Sequence, residues 1–242
     1  MAVRVPEPVA NGDALALLAD GTIELIGRIV PSSNLALYAE VTSPEGTVAA
    51  VYKPEAGERP LWDFDPGLHR RERAAYVLSE WLGWDLVPPT VVRDDAPAGA
   101  GSLQLYIDAD PGEHYFTLYD RRPELWDDLR ALALFDLVAN NADRKSGHVL
   151  RGPDGRVHGI DHGLCFAAEH KLRTVIWDFA GEPLPPVLLD QVRTLLDGVP
   201  AVLAELLEVD EVAALQVRVR WLLETGRFPV DRTGRRVPWP PV

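Results

Sequence analysis

An α+β fold in two lobes is what this sequence predicts: an antiparallel, β-rich first half with one main helix, then a mostly helical second half. Three observations carry that expectation. Short apolar runs separated by turn residues fill the first hundred positions, and one amphipathic stretch stands among them. After residue 108 the pattern turns helical and the apolar runs lengthen. The chain has 242 residues, which accommodates two lobes of about one hundred residues each. The expected boundaries are 1–107 and 108–242.

Taken in order, Asp13 is placed to cap a helix carrying Leu15, Leu17 and Leu18, and Gly21 to end it. Ile23, Leu25 and Ile29 read as a strand, with Gly27 a bend or a close backbone approach. Strands at 35–41 and 48–52 flank a Ser43-Pro44-Glu45-Gly46 turn. Ala74, Val77, Leu78, Trp81 and Leu82 give a helix over 70–82, stopped by Gly83. After Pro88-Pro89 come strands at 90–93 and 102–107. Pro123 and Glu124 open a helix reaching about Asn140, apolar on all sides except for Asp136 and therefore buried. A carboxylate there needs a hydrogen-bonding partner, which suggests that Asp136 supports the loop that follows. Short strands at 148–150 and 157–160 enclose a turn, and helices are expected over 187–207 and 211–224. The tryptophans read as packing residues.

Composition excludes several functions. Hydrophobic residues make up 47% and charged residues 25%, an ordinary globular balance. With 24 Lys and Arg against 37 Asp and Glu, the net charge of -13 argues against nucleic-acid binding and against docking on an anionic membrane. The single Cys165 rules out an intramolecular disulfide and points to a reducing, cytoplasmic setting. No leader and no spanning run is visible, so integral membrane association is not expected. Acids concentrate over 182–211, and arginine and proline over 217–242. The plain reading is solvated helix faces and a loose tail; the functional one is a tail that contacts a protein partner or folds over the acidic helices.

Two polar stretches sit beside apolar elements: Asn140-Asn141-Ala142-Asp143-Arg144-Lys145-Ser146-Gly147-His148 and Ile160-Asp161-His162-Gly163-Leu164. A hairpin joins them, so Asp143, His148 and Asp161 can converge to hold a divalent cation and orient a hydroxyl. Upstream, Lys53 at a strand end and Glu72 on the next helix suit a nucleotide phosphate clamp. Ser32, Ser33 and Asn34 connect the first strands and can cover phosphates. Each residue also has a plain reading: Lys53 a solvated lysine, Glu72 a member of the arginine cluster around it, Asp143 and Asp161 turn residues, His148 a hairpin histidine.

The ordered set resembles the protein-kinase-like superfamily. Its wording is similar to the phosphatidylinositol 3-/4-kinase branch and, more narrowly, to a group of actinobacterial kinase-like proteins. The segments are Val51-Tyr52-Lys53-Pro54, Glu72-Arg73-Ala74-Ala75-Tyr76, Val87-Pro88-Pro89-Thr90, Leu103-Gln104-Leu105-Tyr106-Ile107, Asn141-Ala142-Asp143-Arg144 and Ile160-Asp161-His162-Gly163-Leu164-Cys165-Phe166. The resemblance implies a two-lobed kinase-like fold that uses ATP with Mg²⁺ or Mn²⁺ to phosphorylate a hydroxyl of a protein or small molecule. It implies that Lys53 binds phosphates and pairs with Glu72. Leu105, Tyr106 and Ile107 would form the hinge that meets adenine. Asp143 would orient the attacking hydroxyl, with Arg144 and Lys145 near the transferring phosphate, and Asp161 would hold the metal.

The sequence departs from that plan at His148, where an asparagine is usual, and at the glycine-free Ser32-Ser33-Asn34 loop. Those departures sustain a second reading, a nucleotide-binding pseudokinase serving as a regulatory module. A third is a metal hydrolase built on His148, His158, Asp161 and His162.

Overall fold

The computed structural model describes residues 11–30 and 34–242. Five strands, β1 (Thr22–Arg28), β2 (Leu37–Ser43), β3 (Gly46–Pro54), β4 (Thr90–Arg93) and β5 (Gly101–Leu105), pair antiparallel in the order β1-β2-β3-β5-β4. Alternation along β3 puts Val48, Ala50 and Tyr52 on one face, where they pack with Leu17 and Leu18 of α1 (Asn11–Asp20) and with Val41 and Leu103. Lys53, one residue on from Tyr52, belongs to the opposite face. At Gly27 the β1–β2 register slips between Leu25 and Gly27, so this glycine marks a bulge and not a close approach. Gly101 is the close approach: a Cβ there would lie 2.4 Å from the Lys53 carbonyl and 2.8 Å from the Tyr52 ring.

Helix α2 (Leu68–Leu82) packs on β4 and β5. It ends as expected at Gly83, a left-handed residue with φ 69°. Its start is held from outside. The Glu58 carboxylate accepts from the backbone of Gly67 and His69 and meets the His69 ring, all at 2.9 Å.

The second lobe centres on α4 (Trp126–Ala139), which is nearly enclosed, with Leu129, Leu132, Leu134 and Phe135 inaccessible to solvent. A separate short helix, α3 (Tyr115–Arg121), precedes it where the sequence predicted none. β6 (Val149–Arg151) and β7 (Val157–Gly159) form the expected hairpin. The long helix predicted over 187–207 is two, α5 (Pro186–Asp197) and α6 (Ala201–Leu206), because Gly198 and Pro200 break it. α7 (Val209–Thr225) packs on α4 and α5.

The stretch after α7 is not a loose tail: Phe228 pairs with Gly181 and Glu182, at the head of the acidic run. The Arg236 carbonyl accepts from the Thr174 amide (3.0 Å) and the Trp177 indole (3.2 Å), and the Pro241 carbonyl accepts from the Ser146 amide (2.9 Å). Of the tryptophans, Trp84 is buried, but Trp62 and Trp239 are almost fully exposed and pack against little. Among the described residues no helix is long and apolar enough to cross a membrane.

Glu58 gives the fold an acid-sensitive joint. Burial pushes its carboxyl up, but the His69 ring and the backbone amides of His69 and Gly67 outweigh this and hold it down at about 2 against an ordinary 4.5. A carboxyl depressed in the folded state stabilises fully above the unfolded value and loses that stabilisation as pH falls through the folded one. Urea unfolding of wild type and Glu58→Gln over a pH series should therefore converge on acidification below about 4.5. Parallel curves would show that this cap carries no acid sensitivity.

Candidate functional site

The site lies where the end of β3, α2, the α4–β6 loop and the loop after β7 meet. Lys53 Nζ stands 2.5 Å from Glu72 Oε1 and 2.8 Å from Asp161 Oδ1. The other Glu72 oxygen accepts from the His162 amide at 2.9 Å, so one carboxylate ties β3, α2 and the 161–163 loop together. Gly163 lies against α2 at this approach. A Cβ there would stand 3.3 Å from Leu68 Cβ and 3.6 Å from Glu72 Oε1. Asp161 itself has φ 60°, a left-handed conformation uncommon for a residue with a side chain and concentrated at functional sites.

Asp143 lies on the loop after α4. Asn140 ends the helix in a left-handed conformation, φ 54°, and its side-chain amide bonds the carbonyls of Ala167 and Glu169 and the Lys171 amide. Asn141 Oδ1 accepts from the Asp143 amide at 3.0 Å, and its Nδ2 reaches Asp136. Lys145 Nζ is 3.3 Å from Asp143 Oδ2. Arg173, absent from the expected site, donates Nε to the Ala142 carbonyl at 2.8 Å and helps to hold the Asp143 loop. Its only signal in the sequence is the basic His170-Lys171-Leu172-Arg173 run in an acidic chain.

Charge separates the two aspartates. Burial works against ionised Asp161, but Lys53 and His148 beside it hold its carboxyl well below the usual range. Asp143 moves the other way: burial raises it, Lys145 opposes, and Asp161 adds to the rise. Lys53 is pushed down by burial, yet Asp161 and Glu72 hold it above an ordinary lysine. The arrangement is thus a firm cation and anion pair beside a more basic carboxylate.

His148 sits between the aspartates. Nδ1 is 3.1 Å from the Asp143 carbonyl and Nε2 is 3.3 Å from Asp161 Oδ2. Burial, with help from Arg144, Lys53 and Lys145, pushes the ring down to about 4 despite Asp161, so it is neutral near pH 7. Nδ1 also lies 3.5 Å from the Lys145 amide, so the ring meets both an acceptor and a donor at Nδ1 and a carboxylate at Nε2. With its proton on Nε2 the ring can donate toward Asp161, and with its proton on Nδ1 it offers the Nε2 lone pair to a cation. Among the described residues no three His, Cys, Asp or Glu side chains gather as a metal cage. Two ligands nevertheless fit a cation completed by phosphate oxygens and water.

The other expected residues fall as follows in the fold. Arg144 does not face the cleft. It is fully buried, its guanidinium held by Asp136 (3.0 Å), by the Ile160 carbonyl (2.8 Å) and by His162 Nε2 (2.7 Å), because Asp136 in an apolar helix requires a counter-charge. Leu105 and Tyr106 spend their amides on the Pro89 and Ala49 carbonyls, which leaves neither N–H for a base. Ser32 and Ser33 lie outside the described residues, and Asn34 bonds the Arg59 amide at 3.0 Å. His158 faces Asp154 and His162 faces Arg144, so neither joins His148 and Asp161 as a hydrolase would need.

No family model matches the chain. It is 42% identical over 265 residues to Protein Rv2133c of Mycobacterium tuberculosis, covering 94% of this chain and 95% of that one. A second match, 30% identical over 142 residues, is to Phosphatidylinositol 4-kinase gamma 4 of Oryza sativa subsp. japonica, covering 48% of this chain and 24% of that one. Among solved structures, the Golgi casein kinase with Mn/ADP bound gives a TM-score of 0.54 at 14% identity, over 88% of this chain and 74% of that one. Hydra Fam20 with sugar gives 0.54 at 17%, over 89% and 88%. These likenesses show the two-lobed α+β kinase-like fold.

Removing Asp136 alone strands Arg144 as a buried unpaired cation, so Asp136→Ala should cost about 3–5 kcal/mol in urea unfolding. The Asp136→Leu/Arg144→Met double variant removes both charges and should recover most of that loss. A single variant within about 0.5 kcal/mol of wild type, as an ordinary surface change would give, would show that the pair does not hold this lobe.

Proposed function

We propose that this chain, which belongs to the same family as Protein Rv2133c of Mycobacterium tuberculosis, is an ATP- and divalent-metal-dependent phosphotransferase acting on a hydroxyl group. The observation that carries the proposal is Lys53 held at 2.5 Å from Glu72 and 2.8 Å from Asp161, with Asp143 raised in pKa across the same cleft. In this reading Lys53 binds nucleotide phosphates. Asp161 and His148 hold Mg²⁺ or Mn²⁺, which when bound neutralises charge on the transferring phosphoryl group. Asp143 takes or orients the proton of the acceptor hydroxyl, which its raised carboxyl favours. Lys145 is the basic side chain beside Asp143 that faces the incoming phosphoryl group. Leu105, Tyr106 and Ile107 remain the proposed hinge, with carbonyls rather than the first two amides turned to the base.

The lobes divide near 107/108, between the last strand of the sheet and α3. The Golgi casein kinase, solved with Mn/ADP bound, supports nucleotide and manganese as the probes to use. The finer reading, the phosphatidylinositol 3-/4-kinase branch, is proposed from the Asp161-His162-Gly163 wording, beside a rice kinase match that covers 48% of this chain and 24% of that one. The acceptor is a protein side chain or a small alcohol, and the setting is cytoplasmic, which the single buried Cys165 supports.

His148 favours a second reading. Both Asp161 oxygens are engaged, one by Lys53 and one by His148, an arrangement that also suits a nucleotide-binding module without turnover.

ATP turnover with Mn²⁺ or Mg²⁺ tests both. Wild type should turn over, Asp143→Ala should lose about 10²–10⁴-fold, and Lys53→Ala and Asp161→Ala should fall to background. Equal rates in all four proteins would overturn the catalytic assignment. Thermal stabilisation by ATP without turnover would favour the second reading.

A further inference from the structure

We infer that Arg71 is a positioning residue that bolts the Glu72 helix to the second lobe, so that Lys53, Glu72 and Asp161 stand assembled before any nucleotide arrives. The inference rests on reading that cluster as the phosphate site.

Arg71 and Glu72 are consecutive in α2, so their side chains leave the helix about 100° apart. Glu72 meets Lys53. Arg71 turns to the other lobe, donating Nη1 to the Cys165 carbonyl and Nη2 to Glu211 Oε1, both at 2.6 Å. The pair is nearly enclosed, at 11% and 9% exposure. Both ends are fixed. The Arg71 guanidinium lies 5.4 Å over the Phe64 ring, and the second Glu211 oxygen accepts from the Glu208 amide at the start of α7. One residue earlier, Arg70 Nη2 reaches the Glu205 carbonyl of α6 at 2.7 Å. Helix α2 is therefore held by the loop after Asp161, by α6 and by α7.

Where the helix glutamate of a kinase-like fold swings, the Lys–Glu pair forms only when that helix is driven into place, commonly by phosphorylation of the segment after the metal-binding aspartate. Here that segment gives no such handle. Between Asp161 and Trp177 the only hydroxyl side chain is Thr174, which is buried and bonded to Asp136 at 3.4 Å. Buried ion pairs are weak evidence for stability, because desolvation offsets their attraction. Orientation is the better account of this one. Arg71 reads a carbonyl in the very loop whose His162 amide Glu72 reads, so helix and loop move together or not at all.

The test is hydrogen exchange over residues 68–82 in nucleotide-free Arg71→Gln, Glu211→Gln and the double variant, with melting temperature and ATP kinetics measured alongside. A positioning role predicts exchange over 68–82 faster by about tenfold in each single variant, and a double variant no faster than the worse single one, since coupled partners are non-additive. Saturating ATP with Mn²⁺ should restore protection. The apparent KM for ATP should rise by about the factor by which the competent population falls, with kcat little changed. Unchanged exchange over 68–82 with a lowered melting temperature would overturn the inference, reducing the pair to a stability contact. Additive effects would overturn it as well. The exchange arm needs no nucleotide, so an absence of ATP effect in every protein, wild type included, would sink the phosphotransferase reading while the exchange rates still judge the bolt.

Discussion

One carboxylate, that of Glu72, holds the cleft together. Its two oxygens bond different parts of the molecule: Lys53 on the sheet and the His162 amide in the loop that carries Asp161. The group is almost wholly shielded from water, where both bonds gain strength and leaving either unmade is costly. Much nearby geometry follows from that constraint. Gly163 lies against Leu68 and Glu72, where α2 comes close enough to bond the preceding amide. Asp161 takes its left-handed backbone in the same turn that offers the 162 amide to Glu72 and its own carboxylate to Lys53. Gly101 lets β5 pass close beside the Lys53 carbonyl.

The second lobe has its own anchor in the buried Asp136–Arg144 pair. A well-packed apolar pair would serve stability as well or better. What the charges add is direction. The Arg144 guanidinium reaches the carbonyls of His148 and Ile160, the residues that bracket the β6–β7 hairpin, and Asp136 reaches Asn141 and Thr174. The backbone around Asp143 is thus fixed from beneath, while its carboxylate stays partly open to the cleft. Segment 231–242 completes the enclosure through the amides of Thr174 and Ser146.

The legible elements were those written in local pattern. The 70–82 helix, its Gly83 stop and the β2–β3 turn depend on periodicity and turn chemistry, which neighbours in sequence supply. The buried helix ending near Asn140 was legible because only burial explains an apolar surface all round. The split at Gly198 and Pro200 was also written locally, but the apolar run on both sides concealed it. α3 was not legible, because its helical spacing of Tyr115, Leu118 and Tyr119 spans only seven residues, too short a run for periodicity to stand out.

The chemistry available to the cleft is written in the chain: a lysine at a strand end, a glutamate on the next helix, and two aspartates with a histidine between them, in that order. Order is a property of the chain, so these residues can be read without coordinates. Which of them face the cleft is settled by folding alone. Arg144 looks catalytic beside Asp143, but the burial of Asp136 eight residues earlier turns it inward, since a carboxylate removed from water takes the nearest cation. Arg71 looks like one of several surface charges, yet Glu211, distant in sequence, makes it a contact between lobes. Side-chain direction depends on desolvation and on partners far along the chain, and neither is written at the position of the residue itself.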